Sequence, residues 1–218
     1  MTYNFSLILP CYNEEKNISI LCMEFLGLSF EDIQAELILV NNGSNDNTFN
    51  EIQKEMNSNK SKNVTIKIVN LKKNLGYGGG IAEGLKIASG EYLGWAHADL
   101  QTPLEDFLKL YKLIKHKKKI LGKGYRVNNR GFDGIISKFH ENLASIILGL
   151  KLKEVNAQPK IFSKDTMKYF KNLPYKWTTL DTYVVYTCLK NNIEIKTIDV
   201  VFNTRKYGQS KWKNNFIS

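Results

Sequence analysis

The sequence predicts an α/β protein whose central sheet is mostly parallel and covered by helices on both faces. Three observations predict it. Short aliphatic runs alternate with amphipathic helical stretches, each run ends in a polar or glycine-rich turn, and no low-complexity linker or internal repeat divides the chain. Strands and helices alternating at this spacing imply βαβ units, whose crossovers impose parallel pairing and bury both sheet faces. With 218 residues, 43% of them hydrophobic, the chain can bury one sizeable core, so one domain is expected.

The elements follow in order. Phe5 to Pro10 reads as a buried strand, and a helix from about Glu14 to Leu26 follows with Asn13 as its N-cap. Glu36 to Val40 is a second strand, after which Asp46 or Asn47 caps a helix through about Met56. Val64 to Asn70 is a third strand, Gly80 to Ser89 a short helix and Tyr92 to Ala96 a fourth strand. Pro103 is placed to open a helix that runs to about His116, since its fixed φ suits a first helical turn. Gly134 to Leu150 is a further helix, and Ile193 to Phe202 a last strand.

Ligands of such sheets sit beyond the C-terminal ends of the strands. The unusual polar residues fall there: Cys11 to Glu15 after the first strand, Asn41 to Asp46 after the second, Lys72 to Gly80 after the third and His97 to Pro103 after the fourth. Four such turns at one sheet edge would make a nucleotide-sized cleft.

Charge and cysteine usage narrow the class. With 31 Lys+Arg against 21 Asp+Glu, the net charge of +10 favours anionic partners: phosphorylated small molecules, nucleic acid or an acidic membrane face. The run Lys115 to Lys119 sits where a helix should end and reads as a solvated terminus complementing the dipole. Cys11, Cys22 and Cys188 are an odd, scattered set without a C-x-x-C pair, which argues against a disulfide framework and a zinc site and for reduced, buried thiols in the cytoplasm. The start Met1 to Pro10 has no signal-peptide pattern, and the apolar stretch Leu143 to Leu150 is far short of the roughly 20 residues a spanning helix needs. The expectation is a protein that is soluble or meets a membrane from the side, at its cytoplasmic face.

Each motif carries two readings. Gly76-Tyr77-Gly78-Gly79-Gly80 precedes a helix, where free N–H groups attract phosphate, or it is simply a β-to-α turn with a tightly packed helix start. It is no dinucleotide fingerprint, because it follows the third strand and lacks the acidic partner about 20 residues on. Asp99 with Gln101 after a hydrophobic strand suits Mg²⁺ or Mn²⁺, which take few protein oxygens and fill their shell with water and diphosphate; alternatively Asp99 caps the next helix or forms an Asx-turn. His97 alone reads as a packed imidazole. Arg205 to Trp212 is either a phosphate clamp or an ordinary basic tail.

Taken together, these turns resemble family 2 inverting glycosyltransferases of the GT-A fold, nearest the branch of dolichol- or polyprenol-phosphate mannosyltransferases. The resemblance runs from Leu7 to Glu15 through to Arg205-x-x-Gly208-x-Ser210-Lys211. It implies a three-layer α/β/α GT-A domain over 1–218, with a nucleotide-sugar half (1–102) and an acceptor half (103–218) that carries the C-terminal basic loop. Pro10, Tyr12, Asn13 and Glu15 look like the first nucleotide-binding turn, with the carboxylate near base and ribose. Asn42, Gly43 and Ser44 match the base-reading turn, with Asn42 where the family has Asp. Asn74, Gly76, Gly79 and Gly80 match the stretch beneath the donor. His97, Ala98, Asp99, Leu100 and Gln101 match the family's Asp-Ala-Asp-Leu-Gln metal motif, with His for the first Asp, so Asp99 and Gln101 are the implied ligands of Mg²⁺ or Mn²⁺.

On the acceptor side, Glu154 to Phe162 matches a segment beginning Asp-x-x-x-Gly-Phe-Arg, which puts Glu154 at the Asp and Lys160 at the Arg. Trp177 to Asp181 occupies the region where relatives carry an acid near the acceptor. Asp181 and then Glu154 are the candidate bases for a hydroxyl acceptor, whereas a lipid phosphate needs little base. Arg205, Ser210 and Lys211 look like a loop closing over phosphates, together with Lys160. The implied function is transfer of a sugar, with inversion, from a UDP- or GDP-sugar to an acceptor such as a polyprenyl or dolichyl phosphate. On this reading the length leaves no room for a membrane-spanning extension.

The apolar stripe Ile135, Ile136, Phe139, Leu143, Ile146, Ile147 and Leu150 is read first as core, the alternative being a face lying on an anionic membrane surface. Three rival functions stand beside transfer. A basic nucleic-acid-binding protein lacks any recognition motif, so no specific nucleic acid is expected. A sugar nucleotidyltransferase would carry a basic Gly-rich loop after the first strand, where Tyr12 to Glu15 is acidic. A nucleotide-sugar-binding relative without chemistry is the reading that His97 and Asn41-Asn42 keep open.

Overall fold

A computed structural model describes residues 2–128, 132–171, 173–174 and 179–205. The elements run β1 (Phe5–Cys11), α1 (Glu15–Leu26), β2 (Ala35–Asn42), α2 (Thr48–Ser58), β3 (Val64–Leu71), α3 (Gly76–Ile87), β4 (Tyr92–Trp95), α4 (Glu105–Ile114) and β5 (Ile120–Arg126). They continue α5 (Phe132–Leu148), β6 (Lys160–Ser163), α6 (Lys164–Met167), α7 (Thr179–Lys190) and β7 (Glu194–Val200). Seven strands form one sheet in the order β3-β2-β1-β4-β6-β5-β7. Strand β1 pairs in parallel with β2 and β4, β2 with β3, and β5 with β7, whereas β6 runs antiparallel to both its neighbours, β4 and β5. The predicted mostly parallel α/β architecture is therefore present.

Alternation along β1 divides the core. Phe5, Leu7, Leu9 and Cys11 join one buried cluster with Ile18, Leu21 and Phe25 of α1 and Phe107, Leu110 and Ile114 of α4. Ile8 joins the cluster on the other face with Ile81 and Leu85 of α3 and Leu180, Val184 and Cys188 of α7. Both β1 and β2 lack a polar face, as strands covered on two sides must. All three cysteines are free and buried, as expected. The Lys115 to Lys119 run begins directly after α4 and is largely exposed.

Several local expectations are corrected. Asn13 is not an N-cap: it sits at φ 56°, its side-chain oxygen accepts from Asn45 N at 2.9 Å, and α1 starts at Glu15. Capping of α2 comes from Asp46, whose carboxylate accepts from Thr48 N and Thr48 Oγ1. Asn41 and Asn42 belong to β2 rather than to the turn after it. Gly76 to Gly80 is no loop but the first turn of α3, because Gly76 takes φ +77° and the following glycines let the helix press onto the sheet. A Cβ on Gly80 would lie 3.0 Å from Pro10 Cβ and 3.1 Å from Asn42 Nδ2. The core assignment of the α5 stripe fails at Phe139, Leu143, Ile146 and Ile147, which are exposed, while Leu150 is half-buried and the side chains of Ile135 and Ile136 lie outside the described residues.

At the N-terminal ends of the strands, buried Glu36 accepts hydrogen bonds from Ser6 Oγ, Lys67 Nζ, Ser89 N and Ser89 Oγ. Burial alone would raise its pKa, but the bonds from Lys67, Ser6 and Ser89 outweigh that and hold it below the ordinary carboxylate value.

Strand β6 can lie against β4 because Gly94 has no side chain. A Cβ there would meet Lys160 O at 2.2 Å and the Phe107 ring at 2.6 Å. Gly94→Ala should therefore cost about 1–3 kcal/mol or more in a urea unfolding series, since overpacking against backbone cannot be relieved by a rotamer change.

Candidate functional site

The sheet order reverses between β1 and β4, and at such a switch point the loops on either side diverge to leave a crevice. The turns after β1, β2, β3 and β4 all open there, and each is fastened to the next. Asn13 N donates to Ser44 Oγ at 3.0 Å, Glu14 N to Thr48 Oγ1 at 2.8 Å and Glu15 N to Asp46 Oδ2 at 3.2 Å, while Asn47 N returns to Glu15 Oε2 at 3.0 Å. Asn42 bridges the second turn to the third, its Nδ2 donating to Gly76 O at 2.9 Å and its Oδ1 accepting from Leu75 N at 3.0 Å. Asn74 Oδ1 accepts from Gly76 N at 2.7 Å. Tyr77 then stacks on His97 with centroids 5.0 Å apart, joining the third turn to the fourth.

At the fourth turn Leu100 adopts φ 59°, which brings Gln101 N back to Asp99 Oδ1 at 3.1 Å. A non-glycine residue in this left-handed region is held there by its surroundings, and such positions concentrate at functional sites. Gln101 Nε2 donates to Asn203 O at 2.9 Å, leaving the amide oxygen as its remaining polar atom. Arg205 lies over this turn, its Nη2 3.1 Å from Asp99 Oδ2 and 3.7 Å from Glu14 Oε1. Thus Glu14, not Glu15, carries the carboxylate that faces the crevice; Glu15 is turned toward the α2 cap. Burial, more than the neighbouring Asp99 and Asp46, pushes the Glu14 pKa up to about 7 despite Arg205 and Asn17.

These donors fit a hard divalent cation. Asp99, 6% exposed, and Gln101 offer oxygen alone, and a guanidinium already rests against the Asp99 carboxylate. His97 spends its ring face on Tyr77. No group of three or more His, Cys, Asp or Glu that could hold a metal ion occurs among the described residues.

A second polar cluster adjoins the crevice. Lys160 is fully buried, its Nζ 2.8 Å from Asp181 Oδ1 and 2.9 Å from Ala157 O. Asp181 also accepts from Trp95 Nε1 at 3.3 Å and from Gln158 Nε2 at 3.2 Å, and the same Gln158 nitrogen donates to Tyr77 OH at 2.8 Å. Burial first, then the charges of Asp181 and Asp99, raise the Tyr77 pKa. Glu154, at φ 47°, takes Arg126 Nε at 2.5 Å, and Lys123 Nζ donates to Glu154 O at 3.0 Å and Gly124 O at 3.2 Å. Burial, then the proximity of Lys160, lowers the Lys123 pKa to about 7.

The structure thus brings Pro10, Tyr12, Asn13, Asn42, Gly43, Ser44, Asn74, Gly76, Gly79, Gly80, His97, Ala98, Asp99, Gln101 and Arg205 to one edge of the sheet, with Lys160, Asp181 and Glu154 in the adjoining cluster. Ser210 and Lys211 lie outside the described residues, as do Trp177 and Thr178. Sequence reasoning passed over Glu14, Tyr77, Lys123, Arg126 and Gln158. Arg126 and Gln158 gave no signal, since they belong to or precede strands β5 and β6, which the sequence pattern does not mark.

Fold and site together define a GT-A-type α/β protein with four fastened strand-end turns at its switch point. The chain belongs to glycosyl transferase family 2, whose model matches residues 6–180. It is 34% identical over 157 residues to poly-beta-1,6-N-acetyl-D-glucosamine synthase of Staphylococcus epidermidis, covering 65% of this chain and 36% of that one. It is 25% identical over 228 residues to dolichyl-phosphate beta-glucosyltransferase ALG5C of Trichomonas vaginalis, covering 95% and 66%. The mannosyltransferase PcManGT from Pyrobaculum calidifontis, solved with GDP-Man and Mn²⁺, superposes with a TM-score of 0.70 at 16% identity over 98% of this chain and 60% of that one. The chain therefore spans about a third to two thirds of the length of the two curated relatives.

Two outcomes are expected. Lys160→Met should cost roughly 3–5 kcal/mol in chemical denaturation by leaving Asp181 buried and unpaired, and adding Asp181→Leu should restore much of the loss. Lys123 in the folded state is already neutral above about pH 7, whereas unfolded lysine holds its proton to about 10.4. The unfolded state then binds more protons across that window, so this group makes stability rise with pH. The rise in Tm from pH 7 to 10 should be smaller in Lys123→Met than in the parent.

Proposed function

We propose that this chain transfers a sugar, with inversion, from a nucleotide-diphosphate sugar to an anionic acceptor. The observation that carries the proposal is the fastening of four strand-end turns into one crevice that ends on Asp99, Gln101 and Arg205. The nucleoside lies against Pro10, Tyr12, Asn13 and Glu14. Asn42, with both ends of its amide spent on the Gly76 turn, shapes the floor.

Asp99 and Gln101 would hold Mg²⁺ or Mn²⁺, and the oxygen-only donor set suits either. When bound, the metal supplies positive charge that stabilises a diphosphate as it departs. Arg205 is placed to exchange its contact with Asp99 for one with phosphate, and a guanidinium fork is well matched to that task.

On the acceptor side, Arg126 Nη2 is a buried donor with no hydrogen-bond partner. Such an unspent guanidinium donor favours an acceptor bearing negative charge, and a polyprenyl or dolichyl phosphate supplies it. Its phosphate oxygen is ionised before it attacks the anomeric carbon, so no base is required. Glu154 and Asp181 then serve to position their cations. A hydroxyl acceptor would instead need Asp181 freed from Lys160. A lipid acceptor also puts the protein at the cytoplasmic membrane face. Positioning the two substrates in line supplies much of the remaining barrier reduction.

A second reading, donor binding without transfer, is favoured by His97, which brings no negative charge where the resemblance has Asp. Thermal-shift assays against UDP-, GDP-, CMP- and dTDP-sugars with Mn²⁺, followed by turnover with polyprenyl phosphate, separate the two. Binding without turnover supports the second reading. Asp99→Asn should lower turnover at least about a hundredfold, and full activity in that variant would sink the assignment of Asp99.

A further inference from the structure

Among the described side chains of α5, polar ones are turned inward: Glu141 is only 9% exposed and its Oε1 accepts from Val155 N at 3.0 Å. Ser145 Oγ donates to Glu141 O at 2.6 Å and accepts from Leu152 N at 3.0 Å. Ala144 and Leu148 are the partly buried apolar residues that α5 packs on the core. Its outward face carries Phe139 (64% exposed), Leu143 (47%), Ile146 (79%) and Ile147 (72%). The spacing i, i+4, i+7, i+8 puts all four on one stripe.

Water is a poor solvent for such a stripe, and a contiguous exposed apolar patch marks a surface that meets something. The charge beside it selects the occupant. Lys151 and Lys153, directly beyond the helix, are exposed, while the carboxylate of Glu141 is turned inward. Among the described residues no helix is long and apolar enough to cross a membrane, and α5 has 17 residues. Large hydrophobic side chains on one helical face, with lysines at its end, match the interface of an anionic bilayer, where the apolar side sinks about 5–10 Å and the cations meet lipid phosphates. The helix is joined to the Arg126 cluster through Val155 N, which donates to Glu141 and follows Glu154, the partner of Arg126.

We propose that the outward stripe of α5, Phe139, Leu143, Ile146 and Ile147, docks the protein on anionic lipid, with Lys151 and Lys153 as its electrostatic contacts. The choice of lipid as occupant rests on the reading of a lipid-phosphate acceptor, and the test keeps the two apart. The chain, without donor, acceptor or metal, is floated with vesicles of phosphatidylcholine with or without phosphatidylglycerol. The parent should rise with the phosphatidylglycerol vesicles, and less so in high salt. Phe139→Ser/Ile146→Ser/Ile147→Ser, with an unchanged melting curve, should lower the bound fraction about tenfold or more, and Lys151→Glu/Lys153→Glu should remove the preference for phosphatidylglycerol. Asp99→Asn should float like the parent.

A parent that stays in the dense fraction with both vesicles overturns the proposal, as does a triple variant that floats equally well. It is also overturned if sedimentation velocity shows a dimer that the triple substitution dissociates while neither protein floats. Flotation without sugar transfer keeps the docking face and sinks the transfer reading; transfer without flotation does the reverse.

Discussion

One buried ion pair organises the site. Lys160 on β6 and Asp181 in the first turn of α7 meet in the protein interior, where neither could stay charged alone. Because Asp181 also accepts from Trp95 of β4 and from Gln158, and Gln158 donates to Tyr77 of α3, the pair ties the antiparallel strand and the last helix to the crevice. The absence of a side chain at Gly94 is what lets β6 approach closely enough for this to form. Charge, hydrogen bonding and backbone packing therefore constrain a single arrangement.

The crevice and the cluster beside it each hold buried ionisable groups. In the crevice Glu14 and Asp99 share one guanidinium, and burial first raises the Glu14 pKa. A diphosphate arriving without a cation would meet that negative field unscreened. In the adjoining cluster, burial first and then the proximity of Lys160 lower the Lys123 pKa.

Most of the parallel half was legible in the sequence, because β1 to β4 are bounded by turns whose residue types punctuate them clearly. Strands β5 and β6 and helix α7 had no counterpart in that reading. β5 follows directly on a lysine run and is interrupted by Gly122 and Gly124, and β6 has only four residues, too few for a periodic pattern. The donor turns were found by position, but Glu14 and Glu15 are adjacent, and only the left-handed Asn13 decides which carboxylate turns inward. Periodicity located the α5 stripe correctly and could not tell which way it faced, since a hydrophobic face reads the same whether it meets the core or stands outside it.

The Glu36 cluster lies at the opposite end of the strands from the crevice. Its folded pKa is depressed, so the stability it contributes is present above the ordinary carboxylate pKa and drains away as pH falls through the lowered value. Acid tolerance in this protein is thus governed in part by a site remote from its chemistry. The two can be altered independently, so that selection for survival at low pH could rework Ser6, Lys67 and Ser89 without disturbing Asp99 or Arg205.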